Sequence, residues 1–215
     1  TKADVLSERI IKKIIKASFP DHQILAEESG YSSKKSPYLW IIDPVDGTTN
    51  FSMHNPLWAI SIALCYQGEV QLGLVLAPVL GEVFLAVKGL GAFLNGQPIR
   101  VSDKRLKEAI STFCHGRETK YVKRALKYYE KQKLSYFDCR QMGSASLELA
   151  YTAAGRIESI GIPGARAWDV AAGALIVSEA KGKVTDLEGK KWNVKSQGIL
   201  ASNNKDHGQL VKLWR

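Results

Sequence analysis

The stretch that most constrains this chain runs Trp40-Ile41-Ile42-Asp43-Pro44-Val45-Asp46-Gly47-Thr48-Thr49-Asn50-Phe51. Tyr38 to Ile42 is a short apolar, aromatic-rich run of the kind that forms a buried strand. Pro44 cannot donate to a sheet ladder, which predicts a strand end at Asp43. Asp, Pro and Asp at the first, second and fourth places of a turn fold the chain back, bringing the Asp43 and Asp46 carboxylates and the Val45 carbonyl toward one point. Three such oxygens suit a hard cation such as Mg2+. Gly47-Thr48-Thr49-Asn50 reads as a helix start, whose free N–H groups favour an anion such as phosphate. Asp-Pro-x-Asp-Gly alone is also an ordinary surface turn; the longer string is far more specific.

Composition narrows the classes. A chain of 215 residues with 45% apolar and 24% charged residues buries a proper core and is not disordered. No apolar run approaches the roughly 20 residues a bilayer span needs, and Thr1-Lys2-Ala3-Asp4 is no secretory signal, so the expected location is the cytoplasm, with no membrane partner. Cys65, Cys114 and Cys139 are widely spaced without a CxxC pair and indicate neither a disulfide framework nor a zinc site. Thirty Lys and Arg against 21 acids give a formal charge of +9, which permits RNA or acidic partners. The lysines are scattered over expected helices such as 119–131, without an aromatic-interleaved cluster, so nucleic acid is possible but not indicated.

Along the chain, Leu6, Ile10, Ile11, Ile14 and Ile15 recur at helical spacing from Asp4, the expected cap, to Ser18. Ile24 to Glu27 reads as a strand, and Tyr31 to Pro37 as a polar loop. Leu57–Tyr66, Glu69–Leu76 and Val83–Val87 form an antiparallel meander, turned at Gln67-Gly68 and followed by a tight hairpin at Asn95-Gly96. From about Leu106 the rhythm changes to strands at 110–114, 134–137, 157–162, 184–186 and 199–201. Helices are expected at 119–131, at 144–154, at 168–180 and from Asp206 onward. The expected fold is α+β or α/β, a layered αβαβα sandwich. Residues 1–105 would carry the antiparallel meander and 106–215 a second mixed α/β half, together one compact unit.

Three separated motifs carry a resemblance: Ile24-Leu25-Ala26-Glu27-Glu28-Ser29, the Asp43 string, and Trp168-Asp169-Val170-Ala171-Ala172-Gly173. In this order they resemble the inositol monophosphatase family, a Mg2+-dependent, lithium-sensitive group of phosphatases. The resemblance implies hydrolysis of a phosphate monoester by direct attack of water, with two or three Mg2+ ions and a homodimer. It implies metal binding by Glu27, Asp43, the Val45 carbonyl, Asp46 and Asp169. Catalytic roles fall to Glu27, Thr48, Asp43 and Asp4, with Asp4 holding metal-bound water. Substrate binding is implied for Asp46, Gly47, Thr48, Gly143, Ser144, Ala145, Arg166 and Asp169. The loop 31–37 corresponds to one that closes over metal.

Two positions depart from the inositol-specific pattern: Ile162 stands where a Glu usually grips ring hydroxyls, and Arg166 where His or Lys is common. An Ile cannot hydrogen-bond a polyol, which opens the site to another sugar phosphate, including fructose 1,6-bisphosphate, whose second phosphate Arg166 could meet. Other sugar or nucleotide phosphatases, and a transcription- or RNA-associated binding protein of the same fold, stand as the alternatives.

Overall fold

The computed structural model describes residues 1–215 except Phe137. The chain forms five layers. Helix α1 (Lys2–Ser18) covers the outer face of an eight-stranded sheet built from β1 (Gln23–Ala26), β2 (Gly30–Tyr31), β3 (Tyr38–Asp46), β4 (Ala59–Tyr66), β5 (Glu69–Ala77), β6 (Glu82–Val87), β7 (Gly91–Leu94) and β8 (Gln97–Pro98). The strand order is β2-β1-β3-β4-β5-β6-β7-β8, antiparallel except for the β1–β3 pair. Short helix α2 (Thr48–Ser52) follows β3 directly.

Beyond the meander come β9 (Ile110–Phe113), α3 (Thr119–Ser135), β10 (Asp138–Arg140), α4 (Ala145–Ala153), β11 (Ser159–Pro163), α5 (Ala167–Glu179), β12 (Lys183–Thr185), β13 (Gly198–Ser202) and α6 (His207–Trp214). The second sheet has the order β10-β9-β11-β13-β12 and mixes parallel with antiparallel pairs. Helices α4 and α5 lie between the sheets, and α3 and α6 close the far side, so the layered αβαβα sandwich is what the chain adopts.

The middle layer explains the main core. All nine residues of α4 are buried, as are eight consecutive residues of α5, Val170–Val177. Both helices are mostly apolar around their circumference and are therefore covered on every side. Close approach there requires two glycines. A Cβ on Gly173 would stand 2.5 Å from the Leu149 Cβ, and one on Gly73 2.5 Å from the Ala172 carbonyl oxygen. Among the described residues no helix is long and apolar enough to cross a membrane.

The structure corrects several expected elements. Strand β3 does not stop at Asp43: pairing with β4 resumes at Asp46, with a register shift between the two. Pro44 and Val45 fall in that irregularity, where a missing N–H costs no ladder bond. Glu27 lies one residue past the end of β1, not within it. Asp4 is not the cap of α1; Thr1 is, and Asp4 sits in the first turn. The strand expected at 134–137 is instead the last turn of α3 through Ser135, with Leu134 81% exposed; Phe137 lies outside the described residues. At Gln67-Gly68 and Asn95-Gly96 all four residues have positive φ, as two-residue hairpins demand.

Candidate active site

A cavity of about 660 Å3 opens where the β3–α2 connection meets the starts of α4 and α5. Its wall gathers Glu27, Asp43, Val45, Asp46, Gly47 and Thr48 from the first sheet's side, with Gly143, Ala145, Arg166 and Asp169 from the second. These ten sequence candidates therefore share one pocket. Ser144 stands behind the wall, buried, and Asp4 is buried beneath Thr48. Glu28 is exposed, and its N–H donates to the buried Glu8 carboxylate at 3.0 Å.

Each carboxylate has a local reason for its place. Asp43 Oδ1 accepts from the Val45 N–H at 3.0 Å, closing the turn inside the β3 irregularity. Asp169 is in the first turn of α5 and accepts from the Arg166 N–H at 2.7 Å, capping that helix. Asp46 reaches across to α4. Its Oδ2 accepts from Ser144 Oγ at 2.6 Å, from Ser146 N at 2.7 Å and from Ser146 Oγ at 2.6 Å, and its Oδ1 accepts from Ala145 N at 3.2 Å. Asp46 thus fastens the first sheet to the start of α4.

The Asp-Gly-Thr turn is equally determined. Gly47 has φ +91°, and a Cβ there would stand 3.1 Å from the Gly143 carbonyl and 3.2 Å from the Leu57 carbonyl, so glycine is required. Thr48 Oγ1 lies 3.1 Å from the Val45 carbonyl and 3.4 Å from Asp4 Oδ1. Asn50 Nδ2 donates to the carbonyls of Leu57 at 2.6 Å and Met142 at 2.8 Å, tying the turn to the segment before α4.

Burial raises the pKa of Asp43 well above the usual carboxylate range, reinforced by Asp46, Glu27 and Asp169. Burial likewise raises Asp46, against the Ser144 and Ser146 hydrogen bonds that oppose it, and Glu27. Asp169 is pushed up to about 7, first by burial. Four desolvated carboxylates repelling one another are a low-dielectric site for positive charge. Asp43, Asp46 and the Val45 carbonyl line the same cavity, and each also accepts a hydrogen bond from within the protein. Among the described residues no three His, Cys, Asp or Glu side chains stand ready as a ligand set. The donor chemistry, oxygen only and mostly carboxylate, fits Mg2+ or another hard cation.

Several pocket residues escaped the sequence reading: Cys114, His115, Arg117, Tyr121 and Gln141 line it, and Ser146 holds Asp46 from behind. Pro-Leu-Trp after the Asp43 string gave no sign of the Asn50 clamp. Arg117 follows a Gly in a short polar stretch before α3, and only that stretch's place beside β11 brings it to the site.

The family model for the inositol monophosphatase family matches residues 1–215, the full chain. The chain belongs to the inositol monophosphatase family. It is 41% identical over 213 residues to a fructose-1,6-bisphosphatase/inositol-1-monophosphatase of Thermotoga maritima, covering 99% of this chain and 81% of that protein. It is also 41% identical to the Nus factor SuhB of Pasteurella multocida, covering 94% of this chain and 77% of that one. The solved inositol monophosphatase of Anabaena (Nostoc) sp. PCC 7120 superposes with a TM-score of 0.93 at 35% identity, over 99% of this chain and 85% of the other. Family membership accounts for the order of the three motifs and supports phosphatase activity.

Proposed function

We propose that the chain is a Mg2+-dependent phosphomonoesterase acting on inositol monophosphate or a related sugar phosphate. The observation that carries this is the meeting of Glu27, Asp43, Asp46 and Asp169 in one cavity beside the Gly47–Thr48 turn. Glu27, Asp43, the Val45 carbonyl, Asp46 and Asp169 would hold the ions, two or three in number. Bound Mg2+ makes water a better nucleophile and offsets the charge of the leaving oxygen. Glu27, half-buried with a raised pKa, accepts a proton from the attacking water, and the Thr48 hydroxyl orients that water. The Gly47 and Thr48 N–H groups at the start of α2 steady the equatorial oxygens of the phosphate. Asp4, through its contact with Thr48, holds that hydroxyl in place. Gly143, Ala145 and Arg166 shape the sugar side, and Ser144 acts through Asp46.

A second reading concerns the ester. Ile162 lines the pocket with an apolar side chain where a polyol would want a hydrogen bond, and two arginines, Arg117 and Arg166, line it as well. Two arginines favour a bisphosphate such as fructose 1,6-bisphosphate, and the Thermotoga maritima relative bears that activity in its name. A transcription-related role draws support from the SuhB relatives alone.

Phosphate release from inositol 1-phosphate, fructose 1,6-bisphosphate and a nucleotide monophosphate, each with Mg2+, tests the proposal. Turnover of at least one sugar ester with loss in Asp43→Asn is expected. Absence of release from every ester, or equal release by Asp43→Asn, contradicts it. Arg117→Ala lowering kcat/KM about tenfold for the bisphosphate only supports the second reading; equal loss on both esters removes it.

A further inference from the structure

Glu148 lies on α4, one turn behind the pocket wall, 0% exposed, and is the one acid among the buried residues of that helix. Its Oε1 accepts from the Gly143 N–H at 3.0 Å and from the Cys114 thiol at 3.0 Å. Its Oε2 is buried with no partner at hydrogen-bond geometry among the described residues, although the Thr112 hydroxyl stands beside the carboxyl and favours its charged form. Among the described residues no lysine, arginine or histidine forms an ion pair with it, and the titratable groups that face it are Cys114, Asp46 and Cys139. Burial pushes its pKa up to about 7.

A buried carboxyl with one oxygen unsatisfied costs stability. What it holds is the bend before α4. Gly143 adopts φ +88°, and the next three residues deliver Ser144 Oγ, Ala145 N and both donors of Ser146 to Asp46. Asn50 grips the same bend from the other side through the Met142 carbonyl. The turn therefore hangs between two side chains, one on each sheet's side, and only one of them lies in the pocket.

We propose that Glu148 is a positioning residue for the phosphate chemistry: by accepting the Gly143 N–H it fixes the turn that presents Ser144, Ala145 and Ser146 to Asp46. This rests on the phosphatase reading for its effect on turnover, though not for its effect on the turn. Thiol and amide donors on one oxygen orient the carboxyl, and the carboxyl in turn orients the peptide.

The test uses the full chain, with phosphate release from the best sugar ester, thermal unfolding, and amide hydrogen exchange at Gly143. Glu148→Gln keeps an acceptor oxygen and should retain kcat within about threefold, whereas Glu148→Leu removes it and should lower kcat about tenfold. KM should change less than kcat, and the unfolding temperature of Glu148→Leu should stay level or rise, so that lost activity does not follow lost stability. In the wild type the Gly143 amide, although on an exposed residue, should exchange about a hundredfold more slowly than an unbonded one. Wild-type kcat in Glu148→Leu, equal impairment of both variants, or a rapidly exchanging Gly143 amide overturns the proposal. If Glu148→Leu does not fold, the wild-type exchange rate still decides it. A wild type that releases no phosphate defeats the phosphatase reading instead, while the exchange measurement continues to judge Glu148.

Discussion

Residue by residue, the site divides into groups visible in the linear chain and groups created by folding. Asp43, Asp46 and Glu27 are signalled by acids at strand ends next to turn residues. Asp169 is signalled by its place in the first turn of a helix. The partners that hold them are silent, because Ser146 and Glu148 are unremarkable helix residues until Asp46 arrives from 100 positions away in the case of Ser146. Losing one of its two donors to Asp46, Ser146→Ala should lower kcat about tenfold with the fold intact, as phosphate release and circular dichroism would register; an unchanged kcat would show that Asp46 needs no such hold. The raised pKa of Glu148 has a sign in stability. The folded chain keeps the proton up to about 7 whereas the unfolded chain releases it near 4.5, so stability falls as pH rises between those values and the penalty is complete above 7. Urea unfolding at pH 5 and pH 7.5 should show that fall to be smaller in Glu148→Gln by up to about 3 kcal/mol; an identical fall would contradict the assignment.

At the level of elements, hydrophobic period and turn chemistry located most strands and helices, since the Gln67-Gly68 and Asn95-Gly96 turns permit few alternatives. Two misplacements have local causes. Pro44 looked like a strand end because it cannot donate, yet the irregularity opposite β4 gives it a position where no donor is wanted. Leu134 looked like the start of a strand, but it is an exposed residue in the last turn of α3, and apolarity without burial carries no structural information. The α4–α5 contact depends on Gly173 against Leu149, a relation invisible before the two helices are packed. Gly173→Val should therefore destabilise the chain by about 2 kcal/mol or more in urea unfolding, and a loss below about 0.5 kcal/mol would mean that the helices separate easily.

For the molecule as a whole, two sheets with a helix layer between them bring acids from both sheets' sides to one cavity, and this is how residues as distant as Glu27 and Asp169 become neighbours. The same closeness makes the carboxylates repel one another when ionised, so a cation that binds the folded chain should stabilise it by linkage. Millimolar Mg2+ should raise the unfolding temperature of the wild type by several degrees and leave Asp43→Asn nearly unmoved; equal shifts in both would place the ion elsewhere. Whether the four acids act as a metal cage is tested by phosphate release from a sugar monophosphate at fixed enzyme, titrated with Mg2+ after chelation, in wild type and Asp43→Asn. Turnover should appear only with Mg2+ and be at least about a hundredfold lower in the variant. Release that persists in chelator, or that Asp43→Asn supports as well as the wild type, would contradict it.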